Sequence, residues 1–580
     1  MVLLFPKLST LLIFLARFLC YSDGLESEYD YVIVGAGVAG SVIAARIAEL
    51  TTSGDTVLVL ETGADETANP LLQPSYFFRD SKFTHLYRNY FSQEGPNLNG
   101  RRLYHQSTKA LGGGSTINAM VWTWGDARDY DLWTQKTGLE GWTYEDVVPY
   151  FKKIESYQGS DPTGARGHDG PVHVSIFKPN EVSLHAAASA AEEFGIPLLE
   201  DNNAGVHECS SILQRNIHGT TPVNSLRQSS WVSFLQPANH TLDNLVVQTG
   251  ATVTKVVIDP VTLDAEGVEL LLDGQCTFVR AKKEVVLSGG THNSAKLLLL
   301  SGVGNSTELA EVGVTAVHHL PGVGHNMQDH VNPGSLIFFG PPREDYDGNL
   351  VAAYGRTGVV PDELTPDVEF GYIMGPTTED KSKWNETPSI HMFYCLLLNS
   401  DAKGHVKLFN ADPLADPIIE SGFFRTKTDT KRVIQIFRRL YSWSSRMRKV
   451  MPLKEVTSGP YALHTSPAST DKEIMDQVRN QADTHWHISG TAVMGHPGDI
   501  MSVVDGHFRV HGISSLRVVD ASVMPVIPNG HPMAAIMVMG ERAAEWILAE
   551  NSSNSSSRTH LDASSSDSDS DSDSADEVAP

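Results

Sequence analysis

Cysteine is scarce in this chain, whose 580 residues include only 4 cysteines. Cys20 lies in an apolar N-terminal segment that we expect to be removed, which leaves Cys209, Cys276 and Cys395. Three cysteines form at most one disulfide and leave one thiol over. This excludes a small scaffold held together by disulfides.

Excess positive charge and long apolar runs are also missing. Lys and Arg number 44 against 69 Asp and Glu, a formal net charge of −25. This argues against nonspecific nucleic-acid binding, which needs a basic face. One apolar run, residues 1–22, is interrupted by Arg17 and is too short to span a bilayer comfortably. It predicts a secretory signal peptide, with a retained signal anchor as the alternative.

The signal peptide predicts a secreted, extracellular protein without a stable membrane span. Asn-x-Ser/Thr triplets fit this location and predict a glycoprotein, although each triplet also arises by chance. They begin at Asn239, Asn305, Asn385, Asn551 and Asn554.

The remaining composition is that of a large globular protein. Apolar residues make up 41% of the chain, with 48 Gly and 30 Pro, so we expect an ample core and many turns. No internal repeat is visible, which argues against solenoids and propellers. Residues 551–580 alternate Ser and Asp without apolar anchors, and we predict a disordered acidic tail there with no part in catalysis.

A glycine motif follows the first predicted strand, YVIV. Gly35, Gly37 and Gly40 form G-x-G-x-x-G, with Val38 and Ala39 between them, and a second strand, TVLVL, leads into Glu61 and Thr62. The glycines allow a tight turn and the close approach of a pyrophosphate to a helix N-terminus. An acid in this position accepts ribose hydroxyls and disfavours a 2′-phosphate. The unit predicts a dinucleotide site for FAD or NAD.

The stretch HWHISGTAVMG, residues 485–495, leaves three interpretations open. His485 and His487 share one side of an extended chain, with Trp486 on the other, as in any half-buried strand. They could also be reactive groups. A metal site is the weaker interpretation, because His-x-His without a nearby third ligand is a poor metal motif.

Further segments resemble the glucose–methanol–choline (GMC) oxidoreductases. They are ALGGGSTINAMVWTWGDARDYDLW (110–133), GGTHNSAKLLLLSGVG (289–304), LPGVGHNMQDH (320–330), HISGTAVMG and the C-terminal block around VMPVIPNGHPM. The resemblance runs from about Tyr29 to Leu548, and the last segment is most similar to aryl-alcohol oxidases. It implies an α/β fold with a segmented, Rossmann-like FAD-binding domain and a substrate-binding domain with an antiparallel sheet. The implied FAD-binding segments are 28–130, 251–330 and 481–550, and the implied substrate-domain segments are 131–250, which is mainly substrate domain, and 331–480.

The resemblance implies FAD as the cofactor. Asn118, Ala119, Met120 and Val121 would lie along the isoalloxazine, and the backbone of Val253 would contact the adenine. Ala521, after Asp520, would allow close approach of the backbone, and the dipole of a helix starting at Pro532 and Met533 would stabilise reduced flavin. Ile117 occupies the position of the histidine that binds FAD covalently in some relatives, so we expect noncovalent FAD. Thr108-Lys109, Trp124-Gly125 and Ala295 depart from the family pattern.

By the same resemblance, His487 is the active-site base and His531 its hydrogen-bonding partner, while His485 is structural. No metal is expected. The implied reaction oxidises a primary or secondary alcohol: imidazole takes the hydroxyl proton and flavin N5 takes the hydride. Oxygen or a quinone would reoxidise the flavin. The alternative function is a non-redox lyase or cyclase that keeps FAD, similar to hydroxynitrile lyases. In the substrate lobe, Phe393 and Tyr394 are candidate pocket residues, although most aromatic residues there are expected to lie in the core.

Overall fold

The computed structural model describes residues 25–69, 72, 84–205, 207–221, 224–378, 381–456 and 465–565. For residues 552–565 it describes the backbone only. The predicted signal peptide, residues 1–22, lies outside the described residues, as do residues 566–580 of the predicted tail.

Fifteen strands build two large sheets. They are β1 (Glu28–Val34), β2 (Val57–Leu60), β3 (Ser210–Ile212), β4 (Leu245–Gln248), β5 (Thr252–Ile258), β6 (Ala265–Leu272), β7 (Gln275–Leu287) and β8 (Val331–Asn332). The remainder are β9 (Ser335–Gly340), β10 (Leu350–Gly355), β11 (Val368–Pro376), β12 (Ser389–Leu397), β13 (Lys454–Glu455), β14 (Asp483–Thr484) and β15 (Leu516–Val518).

The α-helices are α1 (Val38–Leu50), α2 (Gly114–Ile117), α3 (Ala127–Thr137), α4 (Tyr144–Ile154), α5 (Glu181–Phe194), α6 (Gln236–Thr241), α7 (Thr291–Leu300), α8 (Ser306–Glu311), α9 (Lys427–Arg448), α10 (Asp471–Gln481) and α11 (Met533–Ser565). Small paired strands join Tyr87–Phe91 to Tyr104–Thr108, Glu155–Tyr157 to Val172–Val174, Ile217–His218 to Leu226–Arg227, Val303–Gly304 to His318–His319, and His405–Lys407 to Ile418–Glu420.

The first sheet has the order β4-β2-β1-β7-β6-β5, with β15 also paired to β7. Strands β4, β2, β1, β7 and β15 run parallel, whereas β6 and β5 form an antiparallel extension. The YVIV run is buried because helices cover both faces of a parallel sheet. This confirms the predicted Rossmann-like unit. The predicted boundary at residue 250 falls too late, since β4 pairs with β2 and already belongs to this sheet.

The second sheet has the order β13-β9-β12-β11-β10-β3, and β8 pairs with β12 and β14. Its pairings are antiparallel, which confirms the predicted substrate-domain sheet. Helices α5 and α9 pack on it and share an apolar core with its strands.

The C-terminal helix α11 packs along α1 and also contacts α4. It does not end at the predicted start of the disordered tail but continues to Ser565, so that prediction is wrong for residues 551–565. At residue 551 the helix still contacts the first sheet, because Asn551 Nδ2 donates to the Tyr31 hydroxyl at 3.2 Å.

Two further findings concern membrane spans and the cysteines. In the described part of the chain, no helix carries an apolar stretch long enough to cross a bilayer. The described cysteines, Cys209, Cys276 and Cys395, are all free thiols.

Candidate active site

A deep cleft opens at the carboxyl ends of β1 and β2, where a doubly wound sheet binds its ligands. It is lined by predicted cofactor residues from four separate segments: Gly35, Gly37, Val38, Ala39, Glu61, Thr62, Val253, Asp520 and Ala521. Segments far apart in the sequence therefore meet at the place predicted for the dinucleotide.

Glycine is required where the backbones cross in this cleft. Gly35 has φ +101°, and a Cβ there would lie 2.5 Å from the Ser288 carbonyl oxygen. A Cβ on Gly113 would lie 2.8 Å from Gly37 Cα. Gly40 does not line the cleft: a Cβ there would collide with the Gly35 carbonyl, so it serves close packing of α1 on the turn. The cleft fits a dinucleotide whose pyrophosphate approaches the backbone closely.

Glu61 organises the same turn from the end of β2. Its Oε2 accepts a hydrogen bond from Ala36 N at 3.0 Å and its Oε1 accepts one from Gly63 N at 2.8 Å. Burial raises the pKa of Glu61 to about 7, although these N–H donors favour the carboxylate. The carboxyl group thus holds the glycine turn as well as lining the cleft, and its contact with ribose stays a prediction.

The predicted flavin-ring residues lie apart from this cleft, toward the second sheet. Asn118 Nδ2 donates to Met533 Sδ at 3.1 Å, so the segment 118–121 and the start of α11 are in contact. Asn118 Oδ1 accepts from Met120 N at 3.0 Å. The side chains of Met120 and Val121 are fully buried, and Ala119 packs with Val121. The carbonyl of Pro532 accepts from Ile536 N at 3.0 Å, so α11 begins at Met533, one residue later than predicted.

One stretch of the cleft lining, residues 288–293, was not predicted from the sequence, although it overlaps the GGTHNS motif. The residues of this stretch are Ser288, Gly289, Gly290, Thr291, His292 and Asn293. Asp520 fixes this stretch, because its Oδ2 accepts from Gly290 N at 2.9 Å and from Ser294 Oγ at 2.5 Å. Burial lowers the pKa of His292 to about 3, so this ring is neutral in the folded protein.

The segment containing the two histidines is fixed by the segment 320–330. Gln328 and Ser489 exchange backbone hydrogen bonds of 2.9 Å, and His485 N donates to the His330 carbonyl at 3.2 Å. Asp329 accepts from His487 N at 3.0 Å and from the Thr484 hydroxyl. Two motifs that are distant in the sequence therefore build one structural unit.

The strand interpretation of His485–His487 is wrong. Strand β14 ends at Thr484, and Trp486 has φ +57°, a left-handed conformation that bulky residues rarely adopt. The side chain of Trp486 points outward and is 46% exposed, while both histidines are half-buried and face the same cluster.

His531 enters from a turn between β15 and α11. Asp129 holds this turn by accepting from Asn529 N at 2.7 Å and Asn529 Nδ2 at 2.6 Å, and Thr123 Oγ1 accepts from His531 N at 2.8 Å. Gly530 supplies the left-handed conformation with φ +79°. Residues of the first FAD-binding segment thus position the second predicted catalytic histidine.

The three imidazoles converge. Ring centroids are 4.8 Å apart for His487 and His531, 4.8 Å for His485 and His487, and 5.6 Å for His485 and His531. One nitrogen from each ring lies within 4.8 Å of the others. His-x-His therefore does have a third histidine near it, because the fold brings His531 beside His485 and His487.

A fourth histidine, His330, contacts His487: their Nδ1 atoms are 2.9 Å apart, so one of them carries the shared proton. Burial lowers the pKa of His487 well below 6.5, and the neighbouring His531, His485 and His330 lower it further. His487 is therefore neutral near pH 7. In the tautomer in which His487 Nδ1 donates to His330, the Nε2 of His487 carries the lone pair that can accept a proton.

Glu369 on β11 is a buried acid beside the histidines that the sequence did not reveal. It is fully buried, its Oε1 lies 3.5 Å from His531 Nε2, and it accepts from the Tyr394 hydroxyl at 3.1 Å. Burial opposes its ionisation, but His531, His485 and Tyr394 together lower its pKa to about 2. Of the two candidate pocket aromatics, Tyr394 therefore reaches the site, whereas Phe393 packs in the core.

This arrangement sets the neutral imidazole of His487 beside His531 and the buried Glu369 carboxyl group, on a segment that also borders the dinucleotide cleft. It can take a proton from a polar substrate and stabilise the positive charge that results.

Comparison with known proteins defines the class. The family model "GMC oxidoreductase" matches residues 29–332 with its N-terminal part and residues 400–540 with its C-terminal part. The chain belongs to the GMC oxidoreductase family. It is a flavin-dependent oxidoreductase, as the resemblance of its motifs implied.

Individual relatives extend along almost the whole chain. Human mitochondrial choline dehydrogenase is 32% identical over 566 residues, covering 91% of this chain and 91% of the relative. Pyridoxine 4-oxidase from Mesorbium loti has a similar structure, with a TM-score of 0.78, 24% identity, and coverage of 89% and 99%. A fungal aryl-alcohol oxidase has a TM-score of 0.77, 21% identity, and coverage of 91% and 100%. These two structures show the same fold.

Proposed function

We propose that this protein oxidises a primary or secondary alcohol to a carbonyl compound, with an active-site histidine as the base. One observation carries the proposal: the rings of His487 and His531 are 4.8 Å apart, and the neighbours of His487, Trp486 and Ile488, line the dinucleotide cleft. At that distance both imidazoles can contact a single hydroxyl group. FAD, when bound, accepts the hydride from the alcohol carbon.

His487 is the proposed base: it is neutral near pH 7, its Nδ1 donates to His330, and its Nε2 accepts the hydroxyl proton. His330 supports this role through Nδ1, by fixing the tautomer and orientation of the ring. His531 is the proposed hydrogen-bonding partner, and the Glu369 carboxylate stabilises positive charge on it. Two contacts to one hydroxyl hold the alcohol carbon in a geometry suited to hydride transfer.

FAD binding is proposed to be noncovalent. The side chain of Ile117 packs against the apolar residues Leu72, Leu86 and Tyr87, and it offers no nucleophile. Gly35, Gly37 and Glu61 would hold the ADP half, and Asn118 with the start of α11 would hold the flavin.

Secretion and glycosylation are proposed from the N-terminal segment and the Asn-x-Ser/Thr triplets. Asn385 is exposed and suited to carry a glycan. Asn551 is not, because its Nδ2 donates to the Ile547 carbonyl at 3.0 Å and a glycan on that nitrogen would replace the contact. Oxygen and a quinone are both suitable acceptors for the reduced flavin.

The test is anaerobic mixing of the yellow protein with a panel of primary and secondary alcohols. We expect the flavin absorbance to bleach with at least one alcohol and to return on addition of oxygen or a quinone. Activity on a cyanohydrin or a cyclising substrate, without bleaching by any alcohol, would replace this proposal with the lyase or cyclase alternative.

A further inference from the structure

His485 has no assigned task in alcohol oxidation, yet its ring faces the two catalytic histidines. Its centroid lies 4.8 Å from that of His487 and 5.6 Å from that of His531. Among the described residues its nitrogens make no side-chain hydrogen bond, and its ring is stacked beside Tyr394 at 6.2 Å. A purely structural histidine would use its polar atoms within the fold. The polar atoms of His485 are available to a ligand.

The other two imidazoles have the supporting contacts of metal-bound histidines. His487 Nδ1 is hydrogen-bonded to His330 Nδ1 at 2.9 Å. A buried carboxylate oxygen of Glu369 lies 3.5 Å from His531 Nε2. Such outer contacts orient the ring and raise its basicity as a ligand. Glu369 places a fully buried carboxyl group beside this cluster.

We propose that His485, His487 and His531 form a binding site for a divalent ion of the zinc or copper type. Imidazole suits these ions, whereas calcium and magnesium prefer oxygen ligands. The ligand nitrogens lie within 4.8 Å of one another. Nitrogens bound to one zinc at about 2.0–2.1 Å are roughly 3.4 Å apart, so the ligand nitrogens move closer by up to about 1.4 Å on binding. Three protein ligands leave a fourth position open, as in catalytic zinc sites.

The effect of the ion on the reaction rests on the proposed function. Coordination occupies the lone pairs of His487 and His531, so neither imidazole can receive the hydroxyl proton. The bound ion therefore blocks flavin reduction by alcohols, and a chelator restores it. The site is a reversible inhibitory site for a divalent transition metal.

The first experiment measures binding without any alcohol. The FAD-loaded protein is treated with EDTA, dialysed, and equilibrated with zinc, and bound metal is measured by mass spectrometry. We expect one zinc ion per chain. With copper(II), the paramagnetic resonance spectrum should show splitting by several imidazole nitrogens.

Variants decide which residues bind the ion. His485→Ala and the more conservative His485→Gln should both lose the stoichiometric ion while retaining FAD. Glu369→Gln should weaken binding by about 10–100-fold, the usual effect of removing an outer contact. His185→Ala is the matched control, because His185 is exposed on α5 away from the cluster, and it should bind zinc like the wild type.

Retention of one tightly bound ion in both His485 variants would overturn the site, as would the absence of stoichiometric binding in the wild type. A second assay addresses inhibition: zinc at saturation should abolish bleaching of the flavin by an alcohol. Stoichiometric zinc at the cluster with unchanged bleaching would contradict the catalytic roles of His487 and His531 and leave the metal site standing.

Discussion

Replacement of His487 by alanine removes the proposed base and leaves the cofactor cleft intact, because His487 does not line it. Loss of a positioned acid–base group slows a reaction by about 10²–10⁴-fold. This corresponds to roughly 2.7–5.5 kcal/mol of barrier. We expect that decrease in the anaerobic rate of flavin reduction, with FAD still bound.

The structure also predicts the pH dependence of this reaction. The pKa of His487 lies well below 6.5 because of burial and three neighbouring histidines. The base is therefore already neutral at pH 7, and the rate of the wild type falls only when the pH drops well below 6.5. His487→Ala should lose this acid limb.

The partner histidines complete this prediction. His531→Ala should also slow reduction, and the double variant should be less impaired than the product of the two effects, since both imidazoles act on one hydroxyl. His485→Ala should mainly lower stability through lost packing on Tyr394. Near wild-type reduction by His487→Ala, with loss of reduction in a folded, yellow His485→Ala protein, would refute the assignment. A larger loss in His531→Ala would exchange the roles of base and partner.

Three further outcomes are expected. Glu369→Gln should lower stability by about 1 kcal/mol, the difference between a charged and a neutral hydrogen bond. Because the pKa of Glu369 in the folded protein is lowered to about 2, this advantage of the wild type should shrink as the pH falls from about 4.5 toward 2, as measured by thermal unfolding. Acid precipitation should leave yellow flavin in the supernatant, and flavin in the pellet would show covalent attachment. A chain ending at Asn551 should keep its flavin and turnover, whereas one ending at Leu548 loses the contacts of Glu550 with Arg517 and should melt at a lower temperature. Loss of more than about tenfold activity in the folded longer chain would assign residues 552–580 a role in turnover.

The cofactor-binding part of the fold could be predicted from the sequence, because the residues that define it lie close together along the chain. Gly35 and Gly37 follow a buried strand and precede a helix, and Glu61 ends the next strand, so the βαβ unit is contained in one stretch of chain. His487 and His531 were found through motifs that lie beside Gly490 and Gly530, which fix sharp turns. The shared cluster of these histidines is a consequence of the fold.

Other features depend on contacts between distant segments, and local patterns do not encode them. Glu369 is one acidic residue in an apolar strand, and nothing near it in sequence shows that Tyr394 and His531 lie opposite. The left-handed conformation of Trp486 was also not predictable. It is held by two backbone hydrogen bonds, from Trp486 N to the Thr484 hydroxyl and from His487 N to the distant Asp329 carboxylate. The Ser- and Asp-rich composition after residue 550 predicted disorder, whereas α11 continues to Ser565 and contacts Tyr31 through Asn551.

The central claim is that a hydride leaves the carbon of an alcohol while histidine takes the hydroxyl proton. The most direct measurement is the rate of anaerobic flavin bleaching with an alcohol deuterated at that carbon, compared with the same alcohol carrying ordinary hydrogen. We expect slower bleaching with the deuterated alcohol in the wild type. In His487→Ala, whose bleaching is slower overall, the deuterated alcohol should still bleach the flavin more slowly than the ordinary alcohol. Conversion of a substrate by a yellow protein whose flavin never bleaches, at a rate unaffected by deuterium, would contradict it.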